Sequence, residues 1–148
     1  MKIAAARGFT LVELLVVLLI MSVLLVAAPI AFDRVLPGLQ LRSDARNVAS
    51  VLREARAQAI RANREATVTV DVAERTYRLG DDGTSQRFSE GVTVTLKTAE
   101  SELLGPDVGR IRFFPDGTST GGLVSLDRGG RKYNIAVDWL YGRVQIVE

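Results

Sequence analysis

The stretch RGFTLVELL (residues 7–15) opens the longest apolar run of the chain and includes a carboxylate, Glu13. No charged side chain occurs between Leu14 and Phe32. A helix over residues 9–32 would be about 36 Å long, whereas the hydrocarbon core of a bilayer is about 30 Å thick. The run is therefore long enough to cross a membrane. A carboxylate inside a membrane costs about 2.5–3.5 kcal/mol on insertion scales, so Glu13 needs a specific reason to be there.

The charges that flank the run predict its orientation. Lys2 and Arg7 precede it, and Asp33 and Arg34 are the first charges beyond it. Because basic residues favour the cytoplasmic side, we expect a cytoplasmic N-terminus and an exported C-terminal domain. A cleaved secretory signal is disfavoured, since the apolar part of such a signal spans only about 7–15 residues. A plain membrane anchor explains the length of the run but not Glu13, and a helix specialised for assembly is the third interpretation.

Composition excludes several classes of function. The 148 residues include 19 basic and 17 acidic side chains, and histidine and cysteine are absent. This absence excludes disulfides, thiolate nucleophiles, the commonest zinc ligands and Ser-His-acid catalysis. Residues 80–85 and 115–119 contain acids beside glycine but lack the alternating ligand spacing of a calcium loop. Aspartate and glycine in this arrangement are typical of tight turns. The sequence therefore predicts a protein that is not an enzyme, with no catalytic residue, no metal and no cofactor.

A second helical pattern follows the apolar run. Proline cannot donate a helical hydrogen bond, so we expect a kink or break at Pro29 and again at Pro37-Gly38. If the second helix begins anew, Ser43-Asp44 is its start signal. Apolar residues then recur at alternating spacings of four and three, which predicts an amphipathic stripe that a sheet must cover. The stripe consists of Leu41, Ala45, Val48, Leu52, Ala55 and Ala59.

Strand patterns occupy the rest of the chain. Apolar and polar residues alternate in residues 66–72, 92–97, 110–114 and 132–139, and glycine-containing turns lie between them. Short connections favour antiparallel pairing. The predicted fold class is α+β, with the exported half of a long N-terminal helix packed on one face of an antiparallel sheet of six to eight strands. Trp139 and Tyr141, beside Gly142, could form a recognition patch, but such aromatic residues more often pack on a sheet, and we expect them to cover its open end.

Four arginines fall within a sector of roughly 40° on the second helix, away from the apolar stripe. They are Arg42, Arg46, Arg53 and Arg64, and they form a candidate anion-binding face. The alternative is a solvated helix face. The sequence favours this alternative, because acidic residues are interleaved with the remaining basic residues of the domain and a continuous cationic patch is missing. We therefore expect no nucleic-acid partner.

The stretch RGFTLVELL also resembles the N-terminal signature of type IV pilins and type II secretion pseudopilins. Its parts are a short basic leader, a glycine, a phenylalanine and a glutamate at the fifth mature position. The resemblance implies that a prepilin peptidase cleaves the Gly8–Phe9 bond and methylates the new amine of Phe9. It also gives Glu13 a role in filament assembly, in which the Glu13 carboxylate neutralises the Phe9 amine of a neighbouring subunit.

Three later segments, residues 52–71, 112–126 and 135–146, resemble the GspH/FimT branch of minor pseudopilins and minor pilins. The resemblance implies an H-type minor pseudopilin, a structural subunit at the junction of tip and shaft of the type II secretion pseudopilus that supports protein export. The implied partners are the major (G-type) pseudopilin, the I-, J- and K-type minor pseudopilins, the prepilin peptidase and the inner-membrane secretion platform.

The resemblance further implies a cleaved leader (1–8), a transmembrane and assembly helix (9–32) and a periplasmic α+β domain (33–148). The protein would cross the bacterial inner membrane once, with a cytoplasmic N-terminus, and assemble into a periplasmic pseudopilus. Two alternatives stay open. One is a fimbrial T-type minor pilin of type IV pili, a class that can bind DNA during uptake. The other is a bitopic membrane protein whose exported β domain binds a ligand.

Overall fold

A computed structural model describes residues 9–147 of the chain, without the side chains of residues 26–37. The chain divides into two compact units, one up to Leu36 and one from Pro37 onward. The predicted leader, residues 1–8, lies outside the described residues. In the part of the chain that the structure describes, no helix is both long enough and apolar enough to cross a membrane. The predicted segment boundaries 9–32 and 33–148 stay predictions.

A single helix, α1, accounts for the described residues from Leu11 to Ala62. It continues through Pro29 and Pro37, so a break at these residues, one of the two predicted outcomes, is wrong, and the kink stays a prediction. A proline removes one helical hydrogen bond at a cost of about 3 kcal/mol, but the turns before and after it keep their own bonds. Because the helix does not begin anew, Ser43-Asp44 is not a helix start.

The second half of α1 carries the predicted apolar stripe, and the prediction is confirmed. All six stripe residues are at most 1% exposed, and Ala49 beside them is also fully buried. They join the inward-facing residues of the strands in a single hydrophobic core that includes Val68, Ile111, Val124 and Ile135. The helical period of 3.6 residues keeps the stripe on one face of α1, so the opposite face carries the charged residues.

Eight strands follow α1 within the described residues, and every pairing between them is antiparallel. Half-buried and buried residues alternate along the fifth strand, where the side chains of Ile111 and Phe113 enter the core. The strands are β1 (Ala66–Asp71), β2 (Thr76–Leu79), β3 (Gln86–Arg87), β4 (Thr93–Thr98), β5 (Val108–Phe113), β6 (Gly122–Arg128), β7 (Arg131–Val137) and β8 (Val144–Val147).

The strands form two four-stranded sheets, with the orders β3-β2-β1-β5 and β4-β6-β7-β8. The prediction of a single sheet is therefore wrong. Side chains, and no backbone ladder, join β4 to β5 where the two sheets meet. The Thr98 hydroxyl donates to the carbonyl of Arg110 at 2.6 Å. A Cβ added to Gly109 would lie 2.7 Å from Cδ2 of Leu96, so a side chain of β4 packs directly on the backbone of β5 at this glycine.

Asp44 provides a polar anchor between α1 and the loop that leads into β4. Its side chain is almost fully buried, and its carboxylate accepts hydrogen bonds from the Ser89 N–H at 3.0 Å and the Ser89 hydroxyl at 3.1 Å. Tyr77 lies nearby, and its hydroxyl donates to Oε1 of Gln86 at 2.8 Å. Burial, and then the negative charge of Asp44, raise the pKa of Tyr77 above its ordinary value. Asp44 thus attaches the loop before β4 to the side of α1 that faces away from the arginines.

We expect Asp44→Ala to lower the free energy of unfolding by about 1–3 kcal/mol, because the two half-buried Ser89 donors lose their acceptor. Chemical denaturation of the full chain in detergent measures this change. Glu54→Ala is the control, since Glu54 is an exposed acid of the same helix, and its effect should stay within about 0.5 kcal/mol. Equal stability of the two variants would show that the contact between Asp44 and Ser89 does not anchor the loop.

Candidate functional site

The N-terminal motif begins with two residues that precede the helix. Phe9 and Thr10 are not helical, and α1 starts at Leu11. The Thr10 hydroxyl accepts a hydrogen bond from the backbone N–H of Glu13 at 3.2 Å. Thr10 is therefore the N-cap and Glu13 the third helical residue, which is the spacing of a capping box. This role of Thr10 was not predicted, although the T-x-x-E signal is present in residues 10–13.

Glu13 is the acid in the first turn of α1, where the positive end of the helix dipole favours a negative charge by about 0.3–1 kcal/mol. Its side chain is exposed, and so is every other side chain from Phe9 to Leu25. Phe9 is 82% exposed. This segment thus presents an apolar surface on all sides, with one carboxylate at its beginning. The other described residues do not cover this surface.

Three of the four predicted arginines lie along the seam between α1 and the second sheet. Arg42 and Arg46 border a shallow groove beside β7 and β8. Further along the helix, Nη2 of Arg53 donates to the carbonyl of Val144, the first residue of β8, at 3.2 Å. The predicted basic edge is therefore partly formed, and it lies along β8.

Arg64 lies apart from this edge, because α1 ends at Ala62. Asn63 has φ = 49°, the left-handed conformation that commonly terminates a helix. The N–H of Arg64 then donates to the carbonyl of Ala59 at 3.3 Å. Arg64 was grouped with the other three arginines by assuming helical rotation up to residue 64. Because the helix ends at Ala62, the assignment of Arg64 to the basic edge is wrong.

Three arginines that were not predicted as site residues join Arg53 around one groove. We call this surface the arginine groove. It lies between the last turns of α1 and the beginning of β8, has a volume of about 490 Å³, and is lined by Arg53, Arg56, Arg61 and Arg143. Nε of Arg56 donates to the carbonyl of Gly117 at 3.1 Å. The ion pairs of the described residues involve none of these four arginines.

The signal for the groove was only partly present in the sequence. Arg53 and Arg56 are three residues apart, a spacing that places them on neighbouring turns of a helix. Arg143 follows them by about ninety residues, and its place in the groove depends on the pairing of β7 with β8. No local pattern reports such a contact.

One wall of the arginine groove continues into the loop between β7 and β8, residues 138–143. Ser119 holds this loop: its N–H donates to the carbonyl of Trp139 and its hydroxyl to the carbonyl of Asp138, both at 2.9 Å. Asp138 in turn accepts a hydrogen bond from the N–H of Tyr141 at 2.7 Å. The backbone of the loop is therefore fixed at several points.

The side chains of this loop point outward. Trp139 is 66% exposed and Tyr141 is 62% exposed, so the prediction that they cover the sheet is wrong. The core beneath is already filled by Val137 and Val144, which are both buried. The Arg143 guanidinium lies 6.0 Å from the centre of the Tyr141 ring, in a cation–π arrangement. The aromatic residues and the arginines thus form one continuous surface.

Two other arginines belong to a structural ion cluster on the first sheet. Arg112 pairs with Glu65 and donates through Nε to Glu102 at 2.8 Å, while Arg110 lies 3.4 Å from Glu102. Glu102 is almost fully buried. Its hydrogen bonds, followed by those of Glu65, raise the pKa of Arg112. These cations are neutralised within the fold and are not part of the arginine groove.

No three acidic side chains converge in the described residues in the way that a metal ion requires. Asp116 lines an adjoining groove together with Arg56 and Arg143, and it is occupied locally: the Thr118 hydroxyl donates to it at 2.7 Å and the N–H of Thr118 at 2.9 Å. These bonds lower the pKa of Asp116. Asp116 is therefore anionic and belongs to the turn between β5 and β6.

Known families match two parts of the chain. A family model described as type II transport protein GspH matches residues 44–140. A model of the prokaryotic N-terminal methylation motif matches residues 3–29. The type II secretion system protein H of Xanthomonas campestris pv. campestris is 30% identical over 139 residues, which covers 94% of this chain and 82% of that protein.

Solved structures share the fold. The minor pseudopilin EpsH from the type 2 secretion system of Vibrio cholerae matches with a TM-score of 0.58 and 14% identity, over 73% of this chain and 96% of EpsH. The type IV minor pilin FimU of Pseudomonas aeruginosa matches with a TM-score of 0.55 and 16% identity, over 73% of this chain and 88% of FimU. The pilin-like α+β fold class predicted from the sequence is confirmed.

We expect Gly142→Ala to destabilise the wall of the arginine groove. Gly142 has φ = 56°, and an added Cβ would collide with the carbonyl oxygen of Gly117 and lie 2.9 Å from Nε of Arg56. Gly129→Ala is the matched control, because Gly129 has a similar φ of 59° with nothing near its Cβ position. Both variants should lose about 1–2 kcal/mol to the backbone conformation.

Gly142→Ala should lose a further 1–3 kcal/mol or so to overpacking, as measured by chemical denaturation of the full chain. Equal losses in the two variants would contradict the close packing of Gly142 against Arg56.

Proposed function

Because the chain belongs to the GspH family of type II transport proteins and is a GspH-type minor pseudopilin, we propose that it serves at the junction of tip and shaft of the pseudopilus and supports protein export there. The observation that carries this proposal is the sequence match to the type II secretion system protein H over 94% of the chain. The fold is shared with a type IV minor pilin, so the fold alone does not separate the two classes. The sequence match favours secretion.

The N-terminal segment supplies the assembly interaction in this proposal. Prepilin peptidase cleaves between Gly8 and Phe9 and methylates the Phe9 amine, consistent with the methylation motif at residues 3–29. The cleaved chain then begins with a cation directly before α1. Phe9 and Thr10 precede the helix, so helical geometry does not hold this amine beside Glu13 of the same chain. The amine is thus available to the Glu13 carboxylate of a neighbouring subunit.

The energy of such a pair depends on its surroundings. When exposed apolar helices of several subunits pack together, both charges leave water, and a partner of opposite charge becomes necessary. Removing one member of a buried pair leaves the other uncompensated, at a cost of about 3–5 kcal/mol. Glu13 therefore contributes little to the isolated chain and much to the assembled one.

The remaining parts of the proposal concern location and partners. The protein is anchored in the bacterial inner membrane by a single segment, with its N-terminus in the cytoplasm and the α+β domain in the periplasm. A type II secretion pseudopilin interacts with other components of the pseudopilus. The partners that we propose are the major (G-type) pseudopilin, the I-, J- and K-type minor pseudopilins and the inner-membrane secretion platform.

We expect processing at Gly8–Phe9 when the chain is expressed together with a prepilin peptidase. Mass spectrometry of the intact protein should show the loss of residues 1–8 and the addition of one methyl group. Gly8→Ala should reduce processing, because the family motif has glycine at this position. A chain that keeps its leader beside an active peptidase would favour the bitopic protein that never enters a filament.

We expect Glu13→Gln to retain membrane insertion and to lose incorporation into the pseudopilus by a factor of about 100 or more, given the cost of an unpaired buried charge. Glutamine also fits the capping box, so the helix start is kept. Crosslinking to neighbouring subunits measures incorporation, and membrane fractionation measures insertion. Glu54→Gln, at an exposed acid of the same helix, is the control. Normal crosslinking of Glu13→Gln would remove the proposed role of Glu13.

A further inference from the structure

The arginine groove contains cations that the fold holds in place without neutralising them. A guanidinium group has five N–H donors. Arg53 uses one donor on the carbonyl of Val144, and Arg56 uses one on the carbonyl of Gly117. Both contacts fix the side chains while leaving the positive charge uncompensated among the described residues. Arg61 and Arg143 are exposed and make no side-chain hydrogen bond in that part of the chain.

The aromatic wall beside these arginines, residues 139–141, is also exposed and held in place by the fold. Trp139, Leu140 and Tyr141 are 66%, 47% and 62% exposed. Their backbone is held by Ser119 and Asp138, so a partner that covers them does not need to order the loop. Rigid aromatic side chains next to arginine are typical of the energetic centres of protein interfaces, because they bury a large area at a small entropic cost.

We infer that the arginine groove docks an acidic segment of another pseudopilus subunit, with carboxylates on the arginines and an apolar residue against Trp139–Tyr141. The inference rests on the proposed function and specifies one of its contacts. Charge complementarity carries it: four cations without a described counter-ion lie around one groove with an apolar rim. A carboxylate matches the planar guanidinium through two parallel hydrogen bonds.

A nucleic acid fits this surface less well. Its phosphates form a continuous line of negative charge, which calls for a continuous line of cations. Asp116 lies in the same groove system as Arg56 and Arg143 and is anionic, and the Asp138 carboxylate stands at the base of the aromatic loop. These two acids repel a polyanion that passes over the groove. A short peptide can place its carboxylates between them.

A second copy of this chain is another conceivable occupant. Residues 100–107 carry exposed Leu103 and Leu104 beside exposed acids. However, Glu102 of this segment is bound to Arg110 and Arg112 and is not available. A contact between the groove and this segment would also be head-to-tail and would propagate through copies of one subunit. A subunit at the junction of tip and shaft has other proteins as neighbours.

Site-specific photocrosslinking in secretion-competent membranes tests the inference on the full chain. A photoreactive residue at Leu140 probes the groove, and one at Leu18, in the exposed apolar part of α1, reports incorporation independently. We expect the Leu140 probe to capture a subunit of the secretion apparatus, through a peptide with at least two carboxylates near an apolar residue. Arg61→Glu/Arg143→Glu should lower this crosslink about tenfold or more, while the Leu18 crosslinks stay.

The matched control is Arg87→Glu/Lys132→Glu, which makes the same change in charge at exposed positions outside the groove. It should leave both crosslinks unchanged. Replacing the captured carboxylates by lysine in the partner should restore the crosslink to Arg61→Glu/Arg143→Glu, which a merely structural role of the arginines would not do.

Several outcomes would overturn the inference. They are a Leu140 probe that captures nothing while Leu18 crosslinks persist, one that captures DNA, one that captures residues 100–107 of a second copy, and one whose capture of a partner is insensitive to charge reversal. In each of these cases the Leu18 crosslinks still support the proposed function. Loss of both crosslinks in the unaltered protein would contradict the proposed function as well.

Discussion

The apolar stripe of α1 is the constraint on which the rest of the domain depends. The two sheets are not joined by a backbone ladder, so the core beneath α1 is what holds them as one body. Several stripe residues are alanines, and their small side chains allow the sheets to pack closely on the helix. Once the stripe is buried, the residues that flank it have fixed positions over the ends of particular strands.

Those flanking residues act as polar clamps with different chemistry on the two sides of α1. On one side Asp44 accepts two hydrogen bonds from Ser89. On the other side Arg53 donates to a backbone carbonyl at the start of β8, and Arg56 donates to one in the turn between β5 and β6. A carboxylate that accepts its hydrogen bonds in a buried site stabilises the fold and is not available to a binding partner. A guanidinium that donates one bond at the surface keeps most of its donors and its charge, so the same contact that organises the loop also prepares a binding surface.

Sequence periodicity predicted the structural elements whose pattern repeats locally. It did not predict contacts between residues that are far apart in the sequence. The stripe from Leu41 to Ala59 and four of the eight strands, β1, β4, β5 and β7, were predicted correctly. In each of these elements the buried face repeats with the period of the helix or strand. The division into two sheets was not predicted, since strand pairing joins residues that are distant in the sequence and leaves no local pattern. The rotation that placed Arg64 was valid only as far as the helix extends. The sequence also gave no reason to place Arg143 beside Arg53.

The composition of α1 assigns different tasks to its two halves. Residues 41–59 are apolar on one face only, and the chain's own strands satisfy that face. Residues 11–25 are apolar on all faces and exposed, and a helix of this kind is stable only when lipid or other helices surround it. Lipid and neighbouring apolar helices interact similarly with any apolar helix. The N-terminal half of α1 can therefore hold subunits together and, through Glu13, align them along the helix axis. It contributes little to the choice between one subunit and another. Discrimination must come from surfaces whose charge and shape differ between subunits. In the described part of this chain, the arginine groove with its aromatic wall is such a surface.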